Sequence, residues 1–161
     1  MRRYTLLAGL FLLLVPMAAS AAGGVIFNGN ARARAGDSLE IEGRPVALMD
    51  IRAPRPDARC YEWRGKKQEA YDCGLASKAF LQSLLSGHEV SCVLEANVAR
   101  CFANGRDVAE ASVAAGWAVS CGQTGRYVLV QEAARRDRRG LWAGNHMVTC
   151  GQPMRQPSMP Q

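Results

Sequence analysis

Three arginines and one tryptophan are the residues of this chain whose types and spacing suggest a binding chemistry. Arg52 and Arg55 follow an apolar segment, and Arg34 precedes that segment. A guanidinium fork matches the geometry of carboxylate and phosphate groups. Trp63 lies in a charged segment further on, and its ring is suited to stacking on a sugar or a base. These residues predict a site for an acidic polymer, either nucleic acid or acidic polysaccharide, unless the arginines are solvated loop charges.

The cysteines predict disulfide bonds rather than a metal site. The chain has six of them and no C-x-x-C pair: Cys60, Cys73, Cys92, Cys101, Cys121 and Cys150. An even number of cysteines in an exported protein is typical of a disulfide framework. We therefore expect no metal at the cysteines, and we expect no cofactor, since the sequence contains no P-loop or dinucleotide-binding motif. Six cysteines allow 15 connectivities, which the spacing alone does not resolve.

The N-terminus is typical of a secretory signal peptide. Arg2 and Arg3 precede an apolar run from Thr5 to Met17, and Ala19-Ser20-Ala21 is a small-residue cleavage site. We predict a signal peptide at residues 1–21 and a periplasmic or secreted mature protein; a membrane anchor is the alternative. Cleavage lowers the formal net charge from +6 to +4, since two arginines and no acidic residue are removed. No later apolar stretch is long enough to span a membrane.

The remaining chain predicts one α+β domain over residues 22–150. Residues 25–51 predict three strands, among them 38–42 and 46–51, and alternating segments predict two more strands at 90–94 and 98–103. Ala76, Phe80 and Leu84, with Leu81 and Leu85 beside them, form one apolar stripe and predict a helix that ends near Gly87. Two further helices are predicted from Asp107 to Gly116 and from Tyr127 to Arg139. Residues 52–73 are expected to be an irregular loop. The Pro- and Gln-rich tail, 151–161, is expected to be disordered.

The order of these elements is typical of a five-stranded OB-fold-type β-barrel with about three added helices. Short segments in matching order make the chain similar to the staphylococcal nuclease-like (thermonuclease) family over about residues 25–145: Gly36-Asp37-Ser38, Val46–Pro54, Tyr71–Ala76, Ala99-Arg100-Cys101, Gly116-Trp117-Ala118 and Arg138–Gly144. The resemblance implies this fold and Ca²⁺-dependent hydrolysis of phosphodiesters in nucleic acid. It also implies a site built from a Gly-Asp-Thr motif, an Ile-Asp-Ala-Pro-Glu motif and two arginines.

The residues that the resemblance assigns to catalysis are mostly replaced here. Asp37 matches the first carboxylate, although Gly-Asp-Ser is also good turn chemistry. Arg52 stands at the second ligand position, Arg55 at the glutamate position, and Ala47 at the first arginine position. The Tyr-Gly-Arg segment that carries the second arginine is missing between Cys92 and Cys101. Two guanidiniums in place of two carboxylates disfavour Ca²⁺, because one like charge at 4 Å costs about 4 kcal/mol at an effective dielectric near 20.

Asp50 is the other carboxylate near this motif, and with Asp37 it is the candidate metal ligand if any metal binds. It precedes Arg52 by two residues, which is roughly 6.6 Å along a strand. That separation is too large for it to replace the missing ligand, since Ca²⁺–oxygen distances are about 2.3–2.6 Å. We therefore expect Asp50 to pair with an arginine and the site to be catalytically inactive.

Under the fold that the resemblance implies, the cysteines form three pairs. Cys92 and Cys101 would face each other across a hairpin, and Cys60 and Cys73 would close the long loop; both pairings resemble those of exported bacterial family members. Cys121 and Cys150 remain as the third pair.

We interpret the chain as an exported, catalytically inactive nuclease-like protein that binds an acidic polymer through Arg52, Arg55, Arg34 and Trp63. Its pattern is similar to that of exported nuclease-like proteins associated with the synthesis of an acidic exopolysaccharide, which implies an accessory role there. The alternatives are a secreted Ca²⁺-dependent nuclease that uses the remnant Asp37, and a scaffold without a polymer ligand. The sequence does not predict the oligomeric state.

Overall fold

The protein is described by a computed structural model that covers residues 24–122, 125–146 and 148–150. The predicted signal peptide and the predicted C-terminal tail lie outside these residues. Within them, no helix is both long and apolar enough to cross a bilayer.

The fold is α+β, as the sequence predicts. Most of its secondary-structure elements are strands, and the others are three α-helices and a short 3₁₀ helix at Gly140–Ala143. The helices are α1 (Cys73–Leu85), α2 (Val108–Ala114) and α3 (Val128–Arg136). The strands are β1 (Val25–Gly29), β2 (Ala31–Ala35), β3 (Ser38–Ile41), β4 (Arg44–Leu48), β5 (Ile51–Arg52), β6 (Cys60–Arg64), β7 (Lys67–Tyr71), β8 (Val90–Glu95), β9 (Val98–Ala103), β10 (Arg106–Asp107), β11 (Val119–Ser120) and β12 (Gly144–Asn145).

The main sheet has the strand order β1-β8-β9-β4-β3-β2, with β10 added beside β9. Strands β4 and β9 are parallel, and the other pairs are antiparallel. The two end strands of this path, β1 and β2, are consecutive in the chain and are separated by Asn30 alone. The chain therefore passes from one end of the sheet to the other within one residue.

The core lies on the inner face of this sheet. Strand β3 alternates between half-buried polar residues and the fully buried Leu39 and Ile41, and β4 adds Val46 and Leu48 to the same core. This is the pattern expected of a strand with one buried face. The disulfide Cys92–Cys101 joins directly opposed residues of β8 and β9 and is fully buried.

Helix α1 buries part of the predicted apolar stripe, and its orientation places the rest of that stripe at the margin of the core. Ala76, Phe80 and Leu84 are only half-buried, whereas Ser77, Leu81 and Leu85 are buried. A tertiary contact sets this orientation, because the Ser77 hydroxyl donates to the backbone carbonyl of Trp117 at 2.6 Å. Apolar periodicity cannot predict this hydrogen bond, because its two residues are 40 positions apart in sequence.

Helix α2 begins as predicted. Asp107 is its N-cap, and the carboxylate accepts hydrogen bonds from the backbone N–H groups of Ala109 and Glu110 at 2.9 and 3.2 Å. The Tyr127 hydroxyl donates to the other Asp107 oxygen at 2.8 Å, so the same carboxylate ties the start of α3 to α2.

The prediction of an irregular loop at 52–73 is wrong. Residues 60–71 form the hairpin β6–β7, and β12 pairs with the other edge of β6. The strands were missed because most of their residues are exposed, so the apolar alternation that indicates a half-buried strand is absent. The disulfide Cys60–Cys73 and a small cluster around Leu141 anchor the hairpin instead.

The close approach of α1 to the turn before β3 requires a glycine at position 36. A Cβ atom at Gly36 would overlap the Ser77 hydroxyl and crowd the Cβ of Ala53. We expect Gly36→Ala to lower the free energy of unfolding by roughly 1–3 kcal/mol through overpacking. Urea denaturation measures this loss.

The control is a double-mutant cycle with Ser77→Ala, which removes the crowded hydroxyl. The double variant should lose less stability than the sum of the two single variants. Additive losses would contradict the proposed clash.

Candidate binding cleft

A cleft of about 210 Å³ lies where β4 ends and the chain turns into β5. Its walls come from the turn before β3, the end of β4, β5, the start of β9 and one disulfide: Asp37, Ala47, Leu48, Met49, Asp50, Ile51, Arg52, Val98, Cys121 and Cys150. Asp37, Arg52 and Ala47 are positions at which the sequence resemblance predicts a site. Ala47 contributes no functional group, so the chemistry of the cleft rests on its charged side chains.

Asp37 is held by backbone hydrogen bonds on both sides. Its carbonyl accepts from the Leu48 N–H at 2.9 Å, and its carboxylate Oδ2 accepts from the Ala53 N–H at 3.1 Å. Burial raises the pKa of the Asp37 carboxyl, while the Ala53 N–H and the positive charge of Arg52 act in the opposite direction. The first effect is the largest, so the net shift is upward.

Asp50 lies in a turn and not on the strand that the sequence predicts for 46–51. Strand β4 ends at Leu48, and Asp50 has a φ of 61°, in the left-handed region. Its carbonyl accepts from the Cys121 N–H at 2.8 Å, and its carboxyl packs against the backbone of Gly122, where a Cβ atom would overlap it. The strand spacing used to place Asp50 far from the site therefore does not apply, and both carboxylates line one cleft.

Arg52 supplies the positive charge of the cleft. It lies on β5 opposite Val119 of β11 and is half-buried. Its Nε is buried and has no hydrogen-bond partner among the described residues. A buried donor without an acceptor is uncommon in a folded protein and calls for an explanation.

The other predicted binding residues lie outside the cleft. Arg34 is on β2 and forms an ion pair with Glu40 at 3.3 Å, and Arg55 forms one with Asp57 at 3.2 Å. Trp63 is on β6 and is exposed. The structure thus brings together Asp37, Asp50 and Arg52, and it does not add Arg34, Arg55 or Trp63 to them.

The three disulfides are the pairs that the sequence predicts: Cys60–Cys73, Cys92–Cys101 and Cys121–Cys150. The third pair also forms part of the cleft wall. Sequence reasoning missed this role, because Cys150 is 29 residues from its partner and no local pattern places it near β5.

Comparison with known proteins gives one informative match. No protein-family model matches the chain. The succinoglycan biosynthesis protein ExoI of Rhizobium meliloti (strain 1021) is 31% identical to it over 137 residues, which cover 76% of this chain and 70% of the relative. The chain belongs to the ExoI family. ExoI itself is named for a role in succinoglycan biosynthesis.

The cleft of this ExoI-family member does not fit Ca²⁺, the metal that the nuclease resemblance implies. Ca²⁺ takes 6–8 oxygen ligands in proteins, and carboxylates are the ones that offset its charge, alongside backbone carbonyls and waters. The cleft offers two carboxylates, one of which already accepts from a backbone N–H, and a guanidinium shares the space with them. Across residues 24–122, 125–146 and 148–150, no three His, Cys, Asp or Glu side chains are grouped so as to hold a metal.

The raised pKa of Asp37 predicts a pH-dependent stability difference between the wild type and Asp37→Asn. The asparagine keeps an oxygen acceptor for the Ala53 N–H and removes the charge. Because the folded-state pKa lies above the ordinary value of 3.8, the wild type gains stability from Asp37 below that value and loses it as the pH rises through the folded-state pKa. Asp37→Asn should therefore become more stable relative to the wild type as the pH rises from below 3.8 through the folded-state pKa of Asp37.

Urea midpoints at a series of pH values measure this trend. Asp57→Asn, which removes an exposed carboxylate outside the cleft, controls for the loss of one negative charge. A stability difference that stays constant or reverses with pH would show that burial does not dominate at Asp37.

Proposed function

We propose that this ExoI-family protein acts outside the cytoplasm, binds an acidic polysaccharide at the Arg52 cleft without hydrolysing it, and serves as an accessory in succinoglycan-type exopolysaccharide biosynthesis. The observation that carries the proposal is Arg52. Its guanidinium stands in the cleft at a position where the nuclease resemblance expects a metal-ligating aspartate, and its Nε lacks an acceptor among the described residues. Succinoglycan is an acidic polymer, and its carboxylates are acceptors of the kind that a guanidinium binds.

The hydrogen-bonding state of the cleft supports an anionic ligand over a cationic one. Asp37 already accepts the Ala53 N–H, so part of its acceptor capacity is used inside the protein. Arg52 lines the cleft and is only half-buried, although its Nε is itself buried. A guanidinium has hydrogen-bond donors and no acceptor, so a ligand that binds Arg52 supplies an oxygen acceptor.

The strand order supports an OB-fold-type barrel as the scaffold. If β1 and β2 are taken as one strand interrupted at Asn30, the sheet has five main strands. The two ends of the strand order, β1 and β2, then belong to the same strand, as in a barrel. Barrels of this type commonly bind oligonucleotides and oligosaccharides. The staphylococcal nuclease-like assignment rests on the same topology and on the sequence motifs.

The disulfides support export. Disulfides persist in the periplasm and outside the cell and are rare in reducing cytoplasm, and every cysteine of this chain is paired. Together with the sequence features of residues 1–21, this favours a periplasmic or secreted protein.

Replacing Arg52 tests the proposal directly. Arg52→Gln should weaken binding to succinoglycan about 10- to 100-fold, since a hydrogen bond to a charged group contributes about 1.5–3 kcal/mol. Isothermal titration calorimetry of the mature protein measures the affinity, which should also fall as salt is added.

Arg106→Gln is the matched control, because Arg106 is exposed on β10 and does not line the cleft. It removes the same charge and should leave the affinity within about twofold, as expected of a screened surface charge. If both variants lose the same affinity, the effect of Arg52→Gln comes from the change in net charge and not from the cleft, which would contradict the proposal. A wild type that binds no acidic polymer would favour the scaffold alternative.

A second candidate function, a residual Ca²⁺-dependent nuclease, is favoured by one observation: Asp37 and Asp50 line the same cleft. We expect the chain to fail this test, for the reasons of charge and ligand number given above. DNA zymography with and without Ca²⁺ should show no metal-dependent degradation, beside an active nuclease as positive control. Ca²⁺-dependent cleavage that disappears in Asp37→Ala would overturn the proposal of an inactive site.

A further inference from the structure

The small sheet β12-β6-β7 has one face that is open to solvent. Tyr61 lies opposite Ala70 of β7 and Asn145 of β12, and Trp63 lies opposite Gln68. Directly opposed residues of paired strands lie on the same face of a sheet. We call the set Tyr61, Trp63, Gln68, Ala70 and Asn145 the aromatic face.

All five residues of the aromatic face are exposed, including 49% of Tyr61 and 58% of Trp63. None of them carries a charge. The opposite face of the hairpin contains a disulfide and charged side chains. Cys60 is buried there in its disulfide, and Arg64 forms ion pairs with Glu62 and Glu69 at 2.6 and 3.4 Å.

The face of the hairpin that contains Cys60 is therefore anchored to the rest of the protein, whereas the aromatic face is exposed to solvent. The disulfide Cys60–Cys73 joins β6 to the start of α1, and β12 extends the sheet on the far edge. A face that is fixed before binding loses little conformational freedom when a ligand arrives. Exposed aromatic residues grouped on such a face usually mark a binding surface.

The chemistry of the aromatic face matches uncharged sugar residues. The faces of aromatic rings carry negative electron density, which attracts the C–H groups along one side of a pyranose ring. Tyr61 and Trp63 are two residues apart on one strand, about 6.6–6.8 Å, which is the scale of neighbouring sugars in a chain. Gln68 and Asn145 bring carboxamides, which both donate and accept and so suit hydroxyl groups.

Two other occupants fit less well. Single-stranded nucleic acid also stacks on aromatic rings, but its binding sites combine those rings with positive charge along the backbone, and the aromatic face has none. A stable dimer needs about 800 Å² and 20–30 residues from each partner, and this face presents five residues.

We infer that the aromatic face binds neutral hexose residues of a polysaccharide chain by stacking on Tyr61 and Trp63, as a second site apart from the Arg52 cleft. The inference rests on the proposed function in that the polymer is a polysaccharide. The sequence groups Trp63 with the arginines as a polyanion site. The structure instead assigns it to a surface without charge.

The test is binding of the neutral oligosaccharide cellohexaose to the disulfide-bonded mature chain, measured by calorimetry and by tryptophan fluorescence. Trp63→Ala should weaken binding about 5- to 150-fold, the range that the loss of one stacking contact predicts. Trp63→Phe, which keeps an aromatic ring, should retain most of the affinity. Leu129→Ala is the matched control, because Leu129 is another large apolar side chain, 84% exposed, on α3.

The inference is overturned if the wild type does not bind cellohexaose, or if Trp63→Ala binds it as tightly as the wild type does. Tighter Trp63-dependent binding of a poly(dT) oligonucleotide, or a dimer in light scattering that Trp63→Ala dissociates, would also overturn it in favour of those occupants. The proposed function fails separately, when succinoglycan does not bind or when its binding is independent of Arg52. If succinoglycan binding depends on Arg52 but cellohexaose binding is unaffected by Trp63→Ala, the proposed function stands and this inference is wrong.

Discussion

The parallel pairing of β4 with β9 is the contact on which the rest of the fold depends. It consists of the pairs Ala47–Val98 and Leu48–Ala99, and the Met49 N–H extends it by donating to the Ala99 carbonyl at 2.9 Å. This short contact joins the antiparallel strands β2, β3 and β4 to the antiparallel strands β1, β8 and β9. Parallel strands need a long crossover connection. That crossover contains β5, the hairpin β6–β7 and α1, so it carries Arg52 of the cleft and most of the aromatic face.

The sequence predicts the parts of the fold whose signals are local. The start of α2 at Asp107 and the alternation of β8 are each encoded within a few residues, and each is found where the sequence predicts it. The hairpin β6–β7 leaves no such signal, because it is anchored by a disulfide and by the Leu141 cluster instead of a buried face of its own. Its stability comes from residues distant in sequence, which periodicity cannot detect.

The cleft was predicted in part for the same reason. The nuclease-like motifs identify Asp37 and Arg52, since both lie in short segments that the resemblance covers. They misplace Asp50, because a strand pattern assumes a regular backbone, and a single residue with a positive φ is enough to turn its side chain into the cleft wall. Cys121 and Cys150 reach the cleft only through tertiary structure. The disulfide pairs themselves followed from the resemblance to a family and not from the spacing of the cysteines, which allows 15 connectivities.

A count of charges describes the cleft poorly, and its hydrogen bonds describe it better. Two carboxylates and one guanidinium suggest a site that prefers cations. Burial, however, raises the pKa of Asp37, and its Oδ2 already accepts from Ala53. An arginine keeps its charge throughout the physiological pH range, and Arg52 also has a donor without a partner among the described residues. Under the proposed function, the half-buried guanidinium of Arg52, rather than the sum of formal charges, determines the preference for an anionic ligand.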